Sequence, residues 1–182
     1  MVITGILYPL VMTVCLQLAF PHQANGSLIE RDGKIVGSEL MAQQFQGAKY
    51  FWPRPSAATY GTGPTGLNAS SGSNFGPTSA QLQTNVRTNA KALRDASKLP
   101  ADAPVPADLV YASASGVDPD ISPEAATFQI SRVAAARGMR EDQVNALVEK
   151  FIKPSQWGFL GEPRVNVLLL NLALDAADTK KS

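Results

Sequence analysis

The chain has 182 residues, 45% hydrophobic and 17% charged, with 16 Lys and Arg against 15 Asp and Glu for a formal net charge of +1. Charges of both signs are interspersed, which removes any electrostatic reason to bind nucleic acid or an anionic lipid surface. A single cysteine excludes an internal disulfide framework, and one histidine with one cysteine makes a zinc site of the usual ligand type implausible, so no metal is expected.

The first element is the run from Val2 to Phe20, nineteen residues without a charge, ten of them Val, Ile, Leu or Phe. Such residues near a bilayer centre favour insertion by about 3 to 6 kcal/mol before the polar ones subtract. At 1.5 Å per residue the run reaches ~28 Å, about one hydrocarbon thickness. A cleaved signal peptide fits poorly: no Lys or Arg precedes the run, and Pro21 directly follows Leu18-Ala19-Phe20. A lipoprotein site needs a small residue before Cys15, where Val14 stands, and a buried core helix rarely runs so long without a polar stripe. The expectation is a retained transmembrane helix over residues 1–22, kinked at Pro9, tethering one soluble domain over 23–182. The flanking charges do not choose a side of the membrane.

Leu28 to Val36 reads as a hairpin, with Asp32-Gly33 suited to the positive φ of a type I′ turn. Ser38 is expected to cap a short helix carrying Leu40, Met41 and Phe45. Residues 53–77 hold repeated Pro and Gly, which forbid long regular elements. A helix follows Pro77, capped by Thr78 or Ser79 and facing the core with Leu82, Val86, Ala90 and Leu93. Pro100, Pro104 and Pro106 end it, and Leu109-Val110-Tyr111 suggests a short strand. Ser122-Pro123-Glu124 starts a helix that stops at Gly138, and another covers about Glu141 to Ile152, burying Val144, Leu147, Val148 and Phe151. Val165 to Leu174 fits helix or strand, and Asp175 onward reads as a polar tail. Hairpin, strand and helices without βαβ alternation favour an α+β fold.

The inventory supports little catalysis. His22 lies at the edge of the apolar run, remote from any Ser-His-Asp arrangement; no Ser-x-x-Lys and no Gly-x-Ser-x-Gly appear. Gly61 to Gly76 lacks the Gly-Lys-Ser/Thr of a phosphate loop and reads as turns. Tyr50 to Ser56 is either an exposed aromatic and arginine contact surface or a passage from core to loop with Arg54 solvated. Trp157, Phe159 and Leu160 are expected in the core, and Arg132 and Arg164 are expected to pair with Asp118, Asp120 or Glu162. From the residues alone the chain is a non-catalytic, membrane-tethered domain. The alternative is a free-standing membrane-anchored periplasmic binding module or hydrolase.

Several motifs occur together in a recognisable order. Phe20-Pro21-His22-Gln23-Ala24-Asn25-Gly26-Ser27-Leu28 follows the apolar run, then come Tyr50-Phe51-Trp52-Pro53-Arg54-Pro55-Ser56 and Ser70-Ser71-Gly72-Ser73-Asn74. Ala112-Ser113-Ala114-Ser115-Gly116-Val117-Asp118, Ile121-Ser122-Pro123 and Arg132-Val133-Ala134 succeed them. Gly161-Glu162-Pro163-Arg164-Val165-Asn166-Val167 and Asn171-Leu172-Ala173-Leu174-Asp175 complete the set. Over essentially the whole chain these resemble the KdpC family, the C subunits of bacterial Kdp potassium-transporting P-type ATPases.

The resemblance implies a non-catalytic subunit of a complex in the bacterial inner membrane, with one transmembrane helix and a periplasmic soluble domain needed for assembly. Its implied partners are a potassium-translocating subunit, an ATP-hydrolysing subunit and a small single-helix subunit. It also implies a catalytic chaperone that raises the ATPase subunit's affinity for ATP through a ternary complex, with no covalently bound cofactor. A periplasmic domain does not meet cytoplasmic ATP, and an effect carried by the helix reconciles the two. Carried over by resemblance, nucleotide contacts fall on Gln129 and on Ser71, Gly72, Ser73 and Asn74; read as a residue, Gln129 is a helix side chain bonding locally. Partner contacts fall on Arg54, Ser56 and Asn74, the serine-glycine stretch serving as a rigid loop facing the potassium-translocating subunit. The sequence departs from the family in three ways. The family usually carries more residues before Ile3-Thr4-Gly5. Ser71 replaces a usual Gly, costing about 1 kcal/mol or more if φ is positive there. Arg140 stands for a frequent capping Ser, giving up roughly 0.5 to 2 kcal/mol.

Overall fold

Pro9 shapes the start of the computed structural model, which describes residues 1–58 and 70–179. Proline has no N–H to give the carbonyl four residues back, and its ring crowds that carbonyl. The turn ahead of it widens accordingly. Ile3–Leu7 is π-helical, with the Tyr8 N–H reaching Ile3 O, and α1 spans Tyr8–Ala19. Thr13 Oγ1 donates to Pro9 O at 2.8 Å. Phe20 breaks the run at φ −138°, and α2, Pro21–Ala24, follows. The π turn leaves α1 at 12 residues, and among the described residues no helix is long and apolar enough to cross a membrane. Every residue from 1 to 20 is exposed.

The hairpin forms as its turn residues dictate. Strands β1, Leu28–Arg31, and β2, Lys34–Ser38, pair antiparallel around Asp32 at φ 53° and Gly33 at φ 71°. A register shift between Ile29 and Glu30 extends the pairing to Leu28 and Ser38. No helix follows. Ser38 ends β2, its hydroxyl donating to Gly26 O at 2.6 Å and accepting from Leu40 N at 3.1 Å, so the expected cap closes a turn instead. The chain divides into two compact units, residues 1–41 and 42–182, with the hairpin in the first.

Among the described residues, the second unit is built on four α-helices and a small sheet. Helix α3, Ala80–Ser97, is capped by the Ser79 hydroxyl and buries Ala90 and Leu93; it ends at Lys98 in the left-handed conformation, two residues short of Pro100. Helix α4, Pro123–Arg137, starts on the Ser122 hydroxyl and stops at Gly138, φ 61°. It buries one broad face, with Ala125, Ala126, Gln129 and Val133 at 0% exposure, and leaves Glu124, Thr127, Ser131 and Ala135 as an exposed stripe. Helix α5, Glu141–Phe151, buries Val144 and Val148 against it.

Arg140 at the start of α5 does not leave the end bare. Its N–H donates to Gln143 Oε1 at 3.3 Å, and its guanidinium holds Asp142 through two bonds of 3.0 and 2.8 Å, which keeps that carboxyl below its ordinary range. The three-stranded antiparallel sheet is ordered β3, β5, β4, from Asp120–Ile121, Arg164–Asn166 and Ile152–Lys153. Residues 165–174 are both strand and helix: β5 passes directly into α6, Val167–Thr179. Two expectations fail here. Leu109 closes a 3₁₀ turn, Ala107–Leu109, because the N–H groups of Leu109 and Val110 return to Pro106 O and Ala107 O. Asp175 is no tail residue: α6 continues through it, since Arg137 pairs with Asp175 at 2.8 Å and also with Asp178.

Candidate functional site

Residues 48–52 run between elements with no strand beside them, so their backbone groups need other partners. Side chains from α4 and α6 supply them. Asn171 Oδ1 accepts from Phe51 N at 2.8 Å while its Nδ2 donates to Phe51 O at 3.0 Å. Gln129 repeats this one residue on, with Oε1 accepting from Trp52 N at 2.8 Å and Nε2 donating to Trp52 O at 3.2 Å. Each amide acts as a strand's peptide group acts. Arg132 Nη1 donates to Ala48 O and Tyr50 O at 2.7 and 3.0 Å, and Arg137 Nε to Lys49 O at 2.6 Å. Every carbonyl from Ala48 through Trp52 thus accepts from a side chain, and Phe51 is fixed in the core at 0% exposure.

Arg132 lies over the Trp52 ring at 4.2 Å, and its Nε is buried without a partner. Burial pulls its pKa down to about 10, which leaves the guanidinium charged near neutral pH. It binds carbonyls, not the expected carboxylates. Gln129 also donates to Ala125 O at 3.2 Å and accepts from Arg132 Nη2 at 2.6 Å, so its amide is engaged at both ends in the interior. Residues 50–56 are therefore a passage from core to loop, with one difference: Arg54 is not solvated but paired with Asp118 at 2.9 Å.

The clamp delivers the chain to a pair of loops. Pro55 O accepts from Ser113 N at 2.9 Å, and Ser56 Oγ donates to Gly116 O at 2.6 Å while accepting from Ala58 N at 3.0 Å. Ser115 O receives both Ser71 N at 2.9 Å and Ser70 Oγ at 2.8 Å. The loops meet backbone to backbone, which only glycine permits at two places. A Cβ at Gly72 stands 2.5 Å from Ala114 O, and one at Gly116, already at φ +72°, stands 2.5 Å from Ser71 O. Ser71 itself is not at positive φ, so the expected cost of that substitution does not arise; Asn74 takes the left-handed conformation at φ 53° and is exposed.

Ser56, Ser71, Gly72 and Ser73 line a cavity of about 430 Å³, walled on its far side by Phe75, Leu82 and Val86 of α3 and its approach. Gln129 is not part of that lining, so the structure does not bring together the residues carried over for nucleotide. Arg54 instead borders a cleft of about 530 Å³ with Asp108, Asp118, Asp120, Glu162 and Arg164. Arg164 pairs with Asp120 at 3.1 Å as expected, while burial, above all, raises the Asp120 pKa.

Two features were hidden in the sequence. Asn171 is a polar residue inside the apolar stretch Leu168–Leu174, the one local signal for its clamp. Trp157, Phe159 and Leu160, expected in the core, are exposed at 83%, 75% and 43%. Their turn holds Trp157 at φ 52° and Gly158 at φ 83°, carrying the side chains away from the core. An aromatic residue in that region costs about 1 to 3 kcal/mol.

Comparison with known proteins assigns this architecture. The family described as KdpC, the c chain of the K+-transporting ATPase, matches residues 1–176. The chain is 55% identical over 177 residues to the potassium-transporting ATPase KdpC subunit of Methylococcus capsulatus (strain Bath), covering 96% of this chain and 90% of that one. It is 56% identical to the subunit of the same name from Burkholderia cenocepacia (strain J2315), covering 96% and 89%, and 56% identical to that of Burkholderia vietnamiensis (strain G4), covering 97% and 90%. With a match this long and relatives this similar, the chain belongs to the KdpC family of K+-transporting ATPase c chains.

Proposed function

We propose that the chain is the accessory, non-catalytic subunit of a Kdp potassium-transporting ATPase, needed for assembly and stability of the complex. The observation that carries this is the family match across residues 1–176, which takes in both the apolar run and the loop-bearing unit. Hydrolysis belongs to an ATP-hydrolysing partner; the other partners are a potassium-translocating subunit and a small single-helix subunit. The helical run over residues 2–19 anchors the chain by crossing the inner membrane once, and three facts support it: the run has no charge, all of it is exposed, and helical rise carries it ~27 Å. Neighbouring helices in a complex supply partners for the backbone groups that Pro9 and the π turn leave unpaired.

The unit 42–182 lies on the periplasmic side and presents the loop pair, with Arg54, Ser56 and Asn74 at its edge, to the potassium-translocating subunit. The glycine contacts that lock the loops support this, because a docking surface gains affinity from being preformed. The chain raises the ATP affinity of the hydrolysing subunit through its helix, not by holding nucleotide. The occupied amide of Gln129, away from the Ser71–Ser73 cavity, supports that choice. Such coupling requires that the helix contact two states of the ATPase subunit differently.

Cysteine accessibility in intact cells tests the arrangement. In a Cys15→Ser background, Arg87→Cys on the exposed face of α3 is expected to react with an impermeant maleimide from outside the inner membrane. Protection until lysis places the unit in the cytoplasm and restores direct ATP contact as the working model. ATP saturation of the isolated hydrolysing subunit with and without added chain tests the second part. A KM for ATP that does not move refutes the chaperone role.

A further inference from the structure

Phe20 is the weak point between the apolar helix and the hairpin. Pro21 has no N–H to give Gln17 O, so the helical ladder ends with Phe20 N donating to Leu16 O at 2.8 Å. Among the described residues no main-chain hydrogen bond joins α1 to the chain beyond Phe20. One side-chain pair does. Gln17 Nε2 donates to Asn25 Oδ1 at 3.4 Å, Asn25 Nδ2 donates back to Gln17 Oε1 at 3.3 Å, and the same Nδ2 reaches Pro21 O at 2.7 Å. Gln17 is the one carboxamide in the run from Val2 to Phe20. It lies about 4.5 Å inside Phe20 along the helix. The proposed function makes those surroundings apolar, where an unpaired amide is costly and a paired one is held.

The other side of the pair is stitched to the hairpin. Asn25 N donates to Pro21 O at 3.2 Å, Gly26 N to Gln23 O at 3.0 Å and Ser27 N to His22 O at 2.9 Å. Gly26 at φ 84° and Ser27 at φ 49° then turn the chain into β1, with Ser27 buried. Strand β2 closes on the same turn, Ser38 Oγ donating to Gly26 O at 2.6 Å and Glu39 N to Ser27 O at 3.0 Å. Asn25 is thus fixed relative to the hairpin, and it fixes Gln17 in turn.

We infer that the Gln17–Asn25 pair is a rotational lock on the apolar helix, and that both are positioning residues for the effect on ATP affinity. The inference rests on the proposed function, in which the helix carries that effect. A lone helix in a fluid bilayer is free to turn about its axis, and a turn of one residue swings its face by about 100°. A helix that turns freely presents every face to the ATPase subunit and does not distinguish two of its states. With its amide oxygen and nitrogen both committed to Asn25, Gln17 keeps one face in place.

The test uses the full chain. In a Cys15→Ser background in lipid nanodiscs, nitroxide labels on Val11→Cys, off the helix axis, and Lys34→Cys, in the hairpin turn, report the setting through their distance distribution. One narrow distribution is expected, at least doubling in width in Gln17→Ala/Asn25→Ala. Added to the isolated hydrolysing subunit, that double variant is expected to lose at least half of the shift in KM for ATP that the wild-type chain produces, while co-purification with the pump is retained. The exchanged pair Gln17→Asn/Asn25→Gln, which keeps both amides, is expected to restore both readouts. A broad distribution in the wild type, a width unmoved by the double variant, or an exchanged pair that restores neither readout overturns the lock. A width that doubles while the KM shift stays whole leaves only a structural tie and overturns the positioning role. If the wild-type chain moves no KM, the proposed chaperone role falls and the positioning role with it, whereas the lock itself still stands or falls by the width.

Discussion

Tyr50-Phe51-Trp52 and Trp157-Gly158-Phe159 are both rich in aromatic residues, yet Phe51 is pinned inside the molecule while Trp157 and Phe159 face water. Their own residues do not make the difference. Around Phe51 the backbone is satisfied by Asn171, Gln129 and the two arginines of α4, whose positions turn the ring inward. Around Trp157 the backbone satisfies itself within one tight turn, so nothing draws the side chains toward the core. Where a segment's peptide groups find partners decides where its aromatic rings go.

That contrast can be broken from the inside first. Phe51→Ala is expected to destabilise by about 3 to 5 kcal/mol through lost burial and a residual cavity, read from urea denaturation of the solubilised chain. Asn171→Leu keeps the branching of the side chain, adds some volume, and strands the Phe51 N–H and carbonyl, costing about 2 to 4 kcal/mol. A loss under 1 kcal/mol in the same titration shows that the amide is not acting as a strand mimic. Gly116→Ala is expected to cost about 1 to 3 kcal/mol, since φ +72° and the Ser71 carbonyl both oppose a Cβ; thermal unfolding measures it. At the other pole, Trp157→Ala is expected to move stability by less than about 0.5 kcal/mol.

The smallest effect concerns charge. The folded pKa of Asp120 is raised above its ordinary 3.8, so its contribution to stability is fullest below that value and falls as pH rises through the folded pKa. Asp142 runs the other way: its folded pKa is lowered, so its contribution is present above 3.8 and lost as pH falls through the folded pKa. Asp120→Asn is therefore expected to gain on wild type as pH rises from 3.8 through the folded pKa of Asp120, and Asp142→Asn to fall behind wild type as pH rises through the folded pKa of Asp142 toward 3.8. Denaturation midpoints at stepped pH check both signs.

Local chemistry was legible wherever the cause is local. Asp32-Gly33, Ser79, Ser122 and Gly138 each act through their own φ or hydroxyl, and each ends or begins an element where the sequence puts it. Family motifs named Arg54, Ser56 and Ser71 to Asn74 as candidates, but neither the cavity that Ser56 shares with Ser71, Gly72 and Ser73 nor the backbone-to-backbone contact at Gly72 and Gly116 followed from them. The clamp was invisible because its halves lie far apart in the chain: Gln129 is 77 residues from Trp52, and Asn171 is 120 from Phe51. Asp175 read as tail for the same reason, its meaning depending on Arg137, 38 residues earlier. The turn at Trp157 misled because apolar composition speaks to hydrophobicity, and only backbone dihedrals say which way a turn points its side chains.

The clamp also has a consequence for biosynthesis. Residues 48–52 leave the ribosome long before Gln129, and longer still before Asn171, so through most of translation their backbone groups have only water as partner. Contacts of such sequence separation form late and slowly. The unit therefore closes around Phe51 only when its last helix is made, and a nascent chain stalled before α6 offers an unfinished core to chaperones and proteases in place of a smaller folded domain.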